Sequence, residues 1–330
     1  MFYPSVGGLE TMVSILAHEF VRQGHEVKLV CRTKANGSDS FPFEVHRQSS
    51  PYRLLKMTRW CDIYFQANVS LKGIWPLLLS RKPLAVSHNG WYSRPSGRAG
   101  WQDHLKQRIT RFSHNISVSR AVAEHLSSQS TIVPNTYRED LFYLLPEVAR
   151  QKELVFLGRL VSDKGADLLL DSLAQLKTQG LRPQLTIIGS GPEEDELRRQ
   201  ATDSGLDSQV EFAGLKTGSE LTRLLNEHQL MVVPSRCQEG FGIVALEGIA
   251  CGCVVVGSED GGLKDAIGPC GVTFPNGDAD ALAQALAQLL TDKQQLSGYG
   301  IHAEAHLLRH RRDVVASSYL QVFETALHGH

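Results

Sequence analysis

Residues 235–247 read Ser235-Arg-Cys-Gln-Glu239-Gly-Phe-Gly-Ile-Val-Ala-Leu-Glu247, directly after the apolar run Leu230-Met-Val-Val233 and Pro234. The apolar run has the length and β-branched content of a buried strand, so Glu239 falls on a strand-to-helix loop. Gly240-Phe-Gly242 then opens an apolar helix, with Glu247 about a turn and a half into it. At such a helix start the N–H groups of Gly242, Ile243 and Val244 have no carbonyl within the helix to bond, which suits a phosphate. Glu247 sits in an otherwise apolar or small run from Phe241 to Val256, where a charge without a partner is costly. An acid, a phosphate site and a second acid match the sugar, the diphosphate and the ribose of a nucleotide-sugar.

A second loop earlier in the same half supplies positive charge. Phe156-Leu-Gly-Arg159-Leu-Val-Ser-Asp-Lys164-Gly165 follows a strand read at Glu153–Leu157 and precedes a helix read at Ala166–Thr178. Leu169, Leu173 and Leu176 line one face of that helix, and Gly180 stops it. Arg159 leaves the strand and Lys164 enters the helix, so both cations converge at the carboxyl end of the sheet, where open α/β sheets bind ligands. Two fixed cations opposite a helix N-terminus can hold a diphosphate by charge-assisted hydrogen bonds.

Gly7-Gly-Leu-Glu10, Phe156-Leu-Gly-Arg-Leu160 with Asp163-Lys-Gly165, Ile188-Gly-Ser-Gly-Pro192, Glu239-Gly-Phe-Gly242 with Glu247, and Gly261-Gly-Leu263 occur in that order. Each motif is loose, but the ordered set resembles the retaining glycosyltransferases of family 4, from residue 4 almost to the end. The resemblance implies an α/β fold of GT-B architecture: two facing Rossmann-like domains with a C-terminal helix crossing back. It implies that Arg159 and Lys164 bind the donor diphosphate and Glu247 the ribose hydroxyls. Glu239 and the backbone of Gly240, Phe241 and Gly242 would hold the transferred sugar, with Ile243 and Val244 at the helix start. The loop Gly214-Leu215 to Gly218 would lie against the base, and Gly7 and Gly8 would close over the phosphates. His88, in Val86-Ser-His-Asn-Gly90, stands where the family often has a histidine near the reacting sugar, so His88 and Glu239 are the expected catalytic pair. Asp265 replaces the Glu common after the Gly-Gly turn, which keeps the charge.

The family begins with a buried apolar strand before the first glycine loop, whereas this sequence opens at Met1-Phe-Tyr-Pro4. The expected consequence is a missing first strand and a gap in the N-terminal sheet beside the strand read at Glu26–Cys31. Elsewhere strands and helices alternate, which argues parallel sheets. Strands are expected at 62–65, 83–87, 115–118, 131–133, 185–188, 210–212, 254–256 and 272–274. With Pro146–Lys152 read as the linker, the expected domains are 1–148 on the acceptor side, 149–312 for the donor, and 313–330 as the returning helix.

Two patterns mislead. Gly189-Ser-Gly191 imitates a dinucleotide fingerprint, but Glu194 occupies the third glycine position. Asp278-Ala-Asp280 imitates a metal-binding pair, yet it opens a helix, where Asp is a good cap. The six cysteines include no Cys-x-x-Cys pair, and Cys251-Gly-Cys253 reads as close packing rather than a zinc site. No metal or other cofactor is expected.

The formal net charge of −1 conceals two opposed halves. Residues 1–150 hold 19 Lys and Arg against 11 Asp and Glu, and residues 151–330 hold 15 against 24. Within 51–120 the balance is 12 against 2, with Arg94, Arg98, Lys106 and Arg108 interleaved with aromatic residues. These four are the candidate acceptor-side residues, expected to meet an anionic glycan, a lipid-linked acceptor or an anionic membrane surface. No nucleic-acid-binding motif accompanies them. No transmembrane run and no signal-peptide pattern stand in the sequence, so the expected location is cytoplasmic, peripheral on the inner face of the membrane. The resulting expectation is a metal-independent hexosyltransferase, moving a sugar from a nucleoside diphosphate to an acceptor hydroxyl of a bacterial-type surface glycan or glycolipid with retention. The alternatives are a nucleotide-sugar epimerase of the same fold and a non-catalytic nucleotide-sugar-binding protein.

Overall fold

The structure is a computed structural model, and it describes residues 7–34, 40–92 and 100–328. The chain divides into one unit of Met1–Thr136 with His310–His330 and a second of Tyr137–Arg309.

In the first unit the strands are β1 Lys28–Cys31, β2 Glu44–Arg47, β3 Tyr64–Ala67, β4 Leu84–His88, β5 His114–Ser117 and β6 Thr131–Ile132. They form two separate parallel sheets, β1-β2 and β3-β4-β5-β6. Among the described residues β1 is paired on one side only. A common apolar cover spans both pieces: Met12, Leu16 and Phe20 of the helix Gly8–Arg22 pack with Val27, Phe65, Ala85 and Ile116. The helix Arg312–His328 completes that core. It buries Val315, Ala316, Tyr319, Phe323 and Ala326 at helical spacing. Tyr319 is fully buried, its hydroxyl 2.9 Å from Ser87 Oγ, and Phe323 meets Phe20 edge-on at 5.6 Å. Fully burying one such ring is worth about 1.5–3 kcal/mol, so the last helix is an integral part of the first unit.

The second unit holds β7 Lys152–Leu157, β8 Leu185–Ile188, β9 Val210–Gly214, β10 His228–Val233, β11 Val254–Ser258 and β12 Gly271–Phe274. All are parallel, in the order β12-β11-β10-β7-β8-β9. This is a doubly wound sheet whose order reverses beside β7. Helices cover both faces, which is why the central strands are almost wholly apolar. Leu169, Leu173 and Leu176 of the helix Ala166–Thr178 pack against Leu154, Phe156, Ile187 and Leu230.

The boundary lies earlier than the expected 148. Residues 137–150 are tied to the second unit by hydrogen bonds: Thr222 Oγ1 to Leu141 O at 2.7 Å, Asn226 Nδ2 to Tyr143 O at 3.0 Å, and Arg150 Nη2 to Cys251 O at 2.9 Å. The chain rejoins the first unit at His310, whose Nδ1 donates to Asn135 O at 2.9 Å. Asp278 caps the helix Ala279–Thr291 by accepting from Ala281 N at 2.8 Å. Gly189 and Gly191 serve close approach, since a Cβ at either would collide with the carbonyls of Gly158 and Leu160.

Candidate active site

Because every strand of the second unit is parallel, the loops after β7, β8, β9, β10, β11 and β12 emerge at one edge. Arg159 follows β7, is exposed, and carries no ion pair among the described residues. Lys164 ends the 3-10 turn Ser162–Lys164. Gly165 follows with φ 68°, and a Cβ there would strike the Pro234 carbonyl, so only glycine lets the two loops come this close.

That approach brings Lys164 Nζ to 2.5 Å from Glu239 Oε1. The same oxygen accepts from Ser235 Oγ at 2.8 Å. Ser235 is itself clamped, its carbonyl accepting from Ser258 Oγ at 2.8 Å and Asn276 Nδ2 at 3.1 Å. Asn276 Oδ1 in turn accepts from Asp260 N at 2.9 Å, so the loops after β10, β11 and β12 are cross-linked around Glu239. The Gly261-Gly262 turn adds a second tie, with a parallel bridge from Gly261 to Glu239 and Gly262 N bonded to Glu239 O at 2.7 Å.

Phe241 is buried, and Gly242 caps the helix Ile243–Ala250 at φ 94°. The first bond of that helix runs from Ala245 N to Gly242 O at 3.0 Å, so the N–H groups of Gly242, Ile243 and Val244 stand at its open end. Glu247 is half-buried on the same helix, and desolvation pushes its pKa up to about 7, with Arg138 opposing the shift. After β9, Gly214 turns at φ 69° and leaves Leu215 72% exposed at the same edge. The second unit thus gathers Arg159, Lys164, Gly214, Leu215, Glu239, Gly240, Phe241, Gly242, Ile243, Val244 and Glu247 on loops and a helix start at one edge of one sheet.

Ser235, Asn276 and Arg138 carry no role in the sequence reading. Ser235 lies in the diagnostic stretch itself, and its spacing of one helical turn from Glu239 was the available signal. Nothing local marks Asn276 or Arg138.

The remaining expected residues belong to the first unit. Gly7 and Gly8 open the helix Gly8–Arg22, with Thr11 N bonded to Gly7 O at 3.0 Å. His88, expected near the reacting sugar, is the other member of the expected catalytic pair. It ends β4 fully buried, with Nε2 2.9 Å from Asn115 Oδ1 and Nδ1 2.7 Å from the Tyr92 hydroxyl. Asn115 Nδ2 donates to Thr110 O, so Oδ1 is the acceptor and His88 carries its proton on Nε2. Tyr92, whose oxygen accepts from Val69 N at 3.0 Å, then donates to Nδ1. Burial lowers the His88 pKa to about 4, so the ring is neutral and satisfied. Lys106 turns inward, 3.6 Å from Asp103 and over the Tyr92 ring, whereas Arg108 is exposed. Arg94 and Arg98 lie outside the described residues. Among the described residues no group of three or more His, Cys, Asp or Glu is arranged to hold a metal ion.

Comparison with known proteins places this geometry. The model of the glycosyl transferases group 1 matches residues 139–305, and that of glycosyltransferase family 4 matches residues 6–136. A phosphatidyl-myo-inositol mannosyltransferase of Mycobacterium leprae is 28% identical over 97% of this chain and 93% of its own. A GDP-mannose-dependent alpha-(1-6)-phosphatidylinositol monomannoside mannosyltransferase of Mycolicibacterium smegmatis is 27% identical over 91% and 90%. Among solved structures, Anabaena HepE in complex with UDP and glucose superposes with a TM-score of 0.76 at 20% identity, covering 98% of both chains. Sucrose-phosphate synthase of Thermosynechococcus elongatus gives 0.79 at 20% identity over 98% and 95%. The structural likenesses establish the GT-B fold with its two Rossmann-like domains. With the group 1 model covering half the chain and the family 4 model most of the rest, the protein belongs to the glycosyl transferases group 1 and is a glycosyltransferase.

Proposed function

We propose that the protein transfers a hexose from a nucleoside diphosphate sugar, GDP-mannose in the first instance, to a hydroxyl of an anionic lipid-linked acceptor, with retention and without a metal ion. The observation that carries this reading is Arg159, an exposed cation without an ion pair among the described residues, on the sheet edge that also presents Lys164, Glu239 and the start of the helix Ile243–Ala250. GDP-mannose is suggested by the name of the M. smegmatis relative, and a lipid-borne inositol acceptor by the names of both mycobacterial relatives.

In this reading Arg159 and Lys164 neutralise the diphosphate as it becomes the leaving group, and the helix N-terminus takes a phosphate oxygen. Glu239 receives sugar hydroxyls and Glu247 the ribose hydroxyls. The bond from the anomeric carbon to the phosphate oxygen breaks, the acceptor oxygen bonds to that carbon, and the acceptor proton passes to the departing phosphate. No protein nucleophile is required, and the positive charges the diphosphate needs come from the chain.

Purified protein incubated with GDP-mannose should release GDP in the presence of EDTA, and NMR of the first sugar product should show the α anomer of the donor. Release of GDP only after manganese is added would overturn metal independence, and a β product would overturn retention. Turnover of UDP-glucose with none of GDP-mannose would reassign the donor.

A further inference from the structure

The helix Trp101–Ile109 and the turn Thr110–Phe112 after it are packed inside out for an element of a water-soluble surface. The side turned to the protein holds half-buried Asp103, Lys106, Gln107 and Ile109. Its one acid is consumed there, Asp103 accepting from Gly100 N at 2.9 Å and lying 3.6 Å from Lys106. The outer side carries Trp101, His104, Leu105, Arg108, Arg111 and Phe112, recurring at helical spacing. Trp101 is 72% exposed, Leu105 40% and Phe112 86%. Arg108 and Arg111 form no ion pair among the described residues, and they line, with His104, Gln107 and Ser127, a groove of about 350 Å³.

We propose that this outer face is a docking surface for an anionic phospholipid bilayer. Arg108 and Arg111 hold a lipid phosphate in the groove, and Trp101, Leu105 and Phe112 enter the boundary between headgroups and acyl chains. The inference deepens the reading that the acceptor is lipid-borne, and it rests on that reading only for its biological purpose.

Three features select a bilayer over other occupants. Exposed aromatic and aliphatic side chains interleaved with arginines, with no acid among them, form the pattern of a helix lying in the membrane interface. Tryptophan prefers that interface, where its ring is partly dry and its N–H wet. A second copy of the chain is disfavoured, because a two-fold contact would set this arginine-bearing stripe against itself and bury like charges together. The helix and turn extend roughly 16 Å, enough to span several lipid headgroups.

The test is co-sedimentation with vesicles of phosphatidylcholine alone and of phosphatidylcholine with phosphatidylserine added, over a salt series. The expected result is binding to the anionic vesicles that falls steeply with salt. Arg108→Glu with Arg111→Glu should weaken it by more than about fivefold per arginine. Trp101→Ser with Phe112→Ser should weaken binding while leaving GDP release from GDP-mannose unchanged, and circular dichroism should show both double variants folded. Brominated acyl chains should quench wild-type tryptophan fluorescence more than that of Trp101→Phe. Equal binding of wild type and both double variants, or binding to neither vesicle, would overturn the proposal. So would a dimer by sedimentation velocity that Trp101→Ser with Phe112→Ser disperses, since the stripe would then be an interface between copies. GDP release persisting in a protein that ignores vesicles would sink this inference alone, and absence of GDP release in a protein that binds them would sink the donor reading alone.

Discussion

Lys164 Nζ lies 2.5 Å from Glu239 Oε1, so two groups expected to grip different parts of one ligand are paired with each other. Ser235 Oγ fixes the same carboxylate oxygen from the other side. The pair compensates each charge and ties the loops after β7 and β10 together. A donor that draws Lys164 to its phosphate and Glu239 to its sugar must divide that pair.

The two residues should therefore be energetically coupled. Lys164→Met and Glu239→Gln should each weaken GDP-mannose binding by tenfold or more, and the double variant should lose more than the two losses combined, because neither single variant has a pair left for the donor to divide. A coupling of about 0.5–3 kcal/mol is the range for directly contacting charges. Titration calorimetry on the four proteins measures it, and strictly additive losses would show that donor binding does not divide the pair.

Glu247 should make the protein pH-sensitive in two opposite ways. Its folded pKa of about 7 lies above the ordinary 4.5, so between those values the native chain holds a proton that the unfolded chain has released. Stability should therefore fall as pH rises through that window, by at most about 3 kcal/mol, relative to Glu247→Gln. Donor affinity should move the other way if ribose hydroxyls donate to the carboxylate, rising as pH passes about 7 and becoming flatter in Glu247→Gln. Melting curves and donor titrations at pH 5, 6, 7 and 8 would show both slopes, and wild type tracking the variant in both would contradict the assignment.

His88 should be a residue of stability. Its pKa of about 4 lies below the ordinary 6.5, so its contribution is present above 6.5 and lost as pH falls toward 4. His88→Ala removes partners from Asn115 and Tyr92 and leaves a cavity, which should cost about 2–4 kcal/mol. GDP release per folded molecule should remain near wild type. A variant of normal melting temperature that has lost GDP release would restore the catalytic role.

The second unit is legible in the sequence because its inner strands are covered on both faces and appear as apolar runs, such as Leu185–Ile188, while the helix Ala166–Thr178 shows as leucines at helical spacing. The strand Glu44–Arg47 was not, since only a partly buried, charged tetrapeptide near Pro42 marks it. The boundary after Thr136 was hidden because what ties residues 137–150 to the second unit is largely backbone, such as Leu145 N on Asn226 Oδ1 at 2.8 Å. The burial of His88 depends on Tyr92, in the loop that follows it, and on Asn115, which the pairing of β5 with β4 brings beside it. By contrast, Arg159, Lys164 and Glu239 could be placed at one edge, because strand-to-helix loops of parallel strands all emerge there. What a linear reading could not supply was the direct pairing of Lys164 with Glu239, or which side of Trp101–Ile109 faces outward.

The central claim is that the carboxyl edge of the second unit grips a nucleoside diphosphate sugar through its cations. Its most direct measurement is GDP-mannose affinity for wild type and Arg159→Ala, with GDP release followed in parallel. Removing a cation from a hydrogen-bonded diphosphate should cost about 2–5 kcal/mol, a loss of roughly thirtyfold or more in affinity, with melting temperature unchanged because Arg159 carries no internal ion pair among the described residues. An Arg159→Ala protein that binds GDP-mannose and releases GDP as wild type does would contradict the claim.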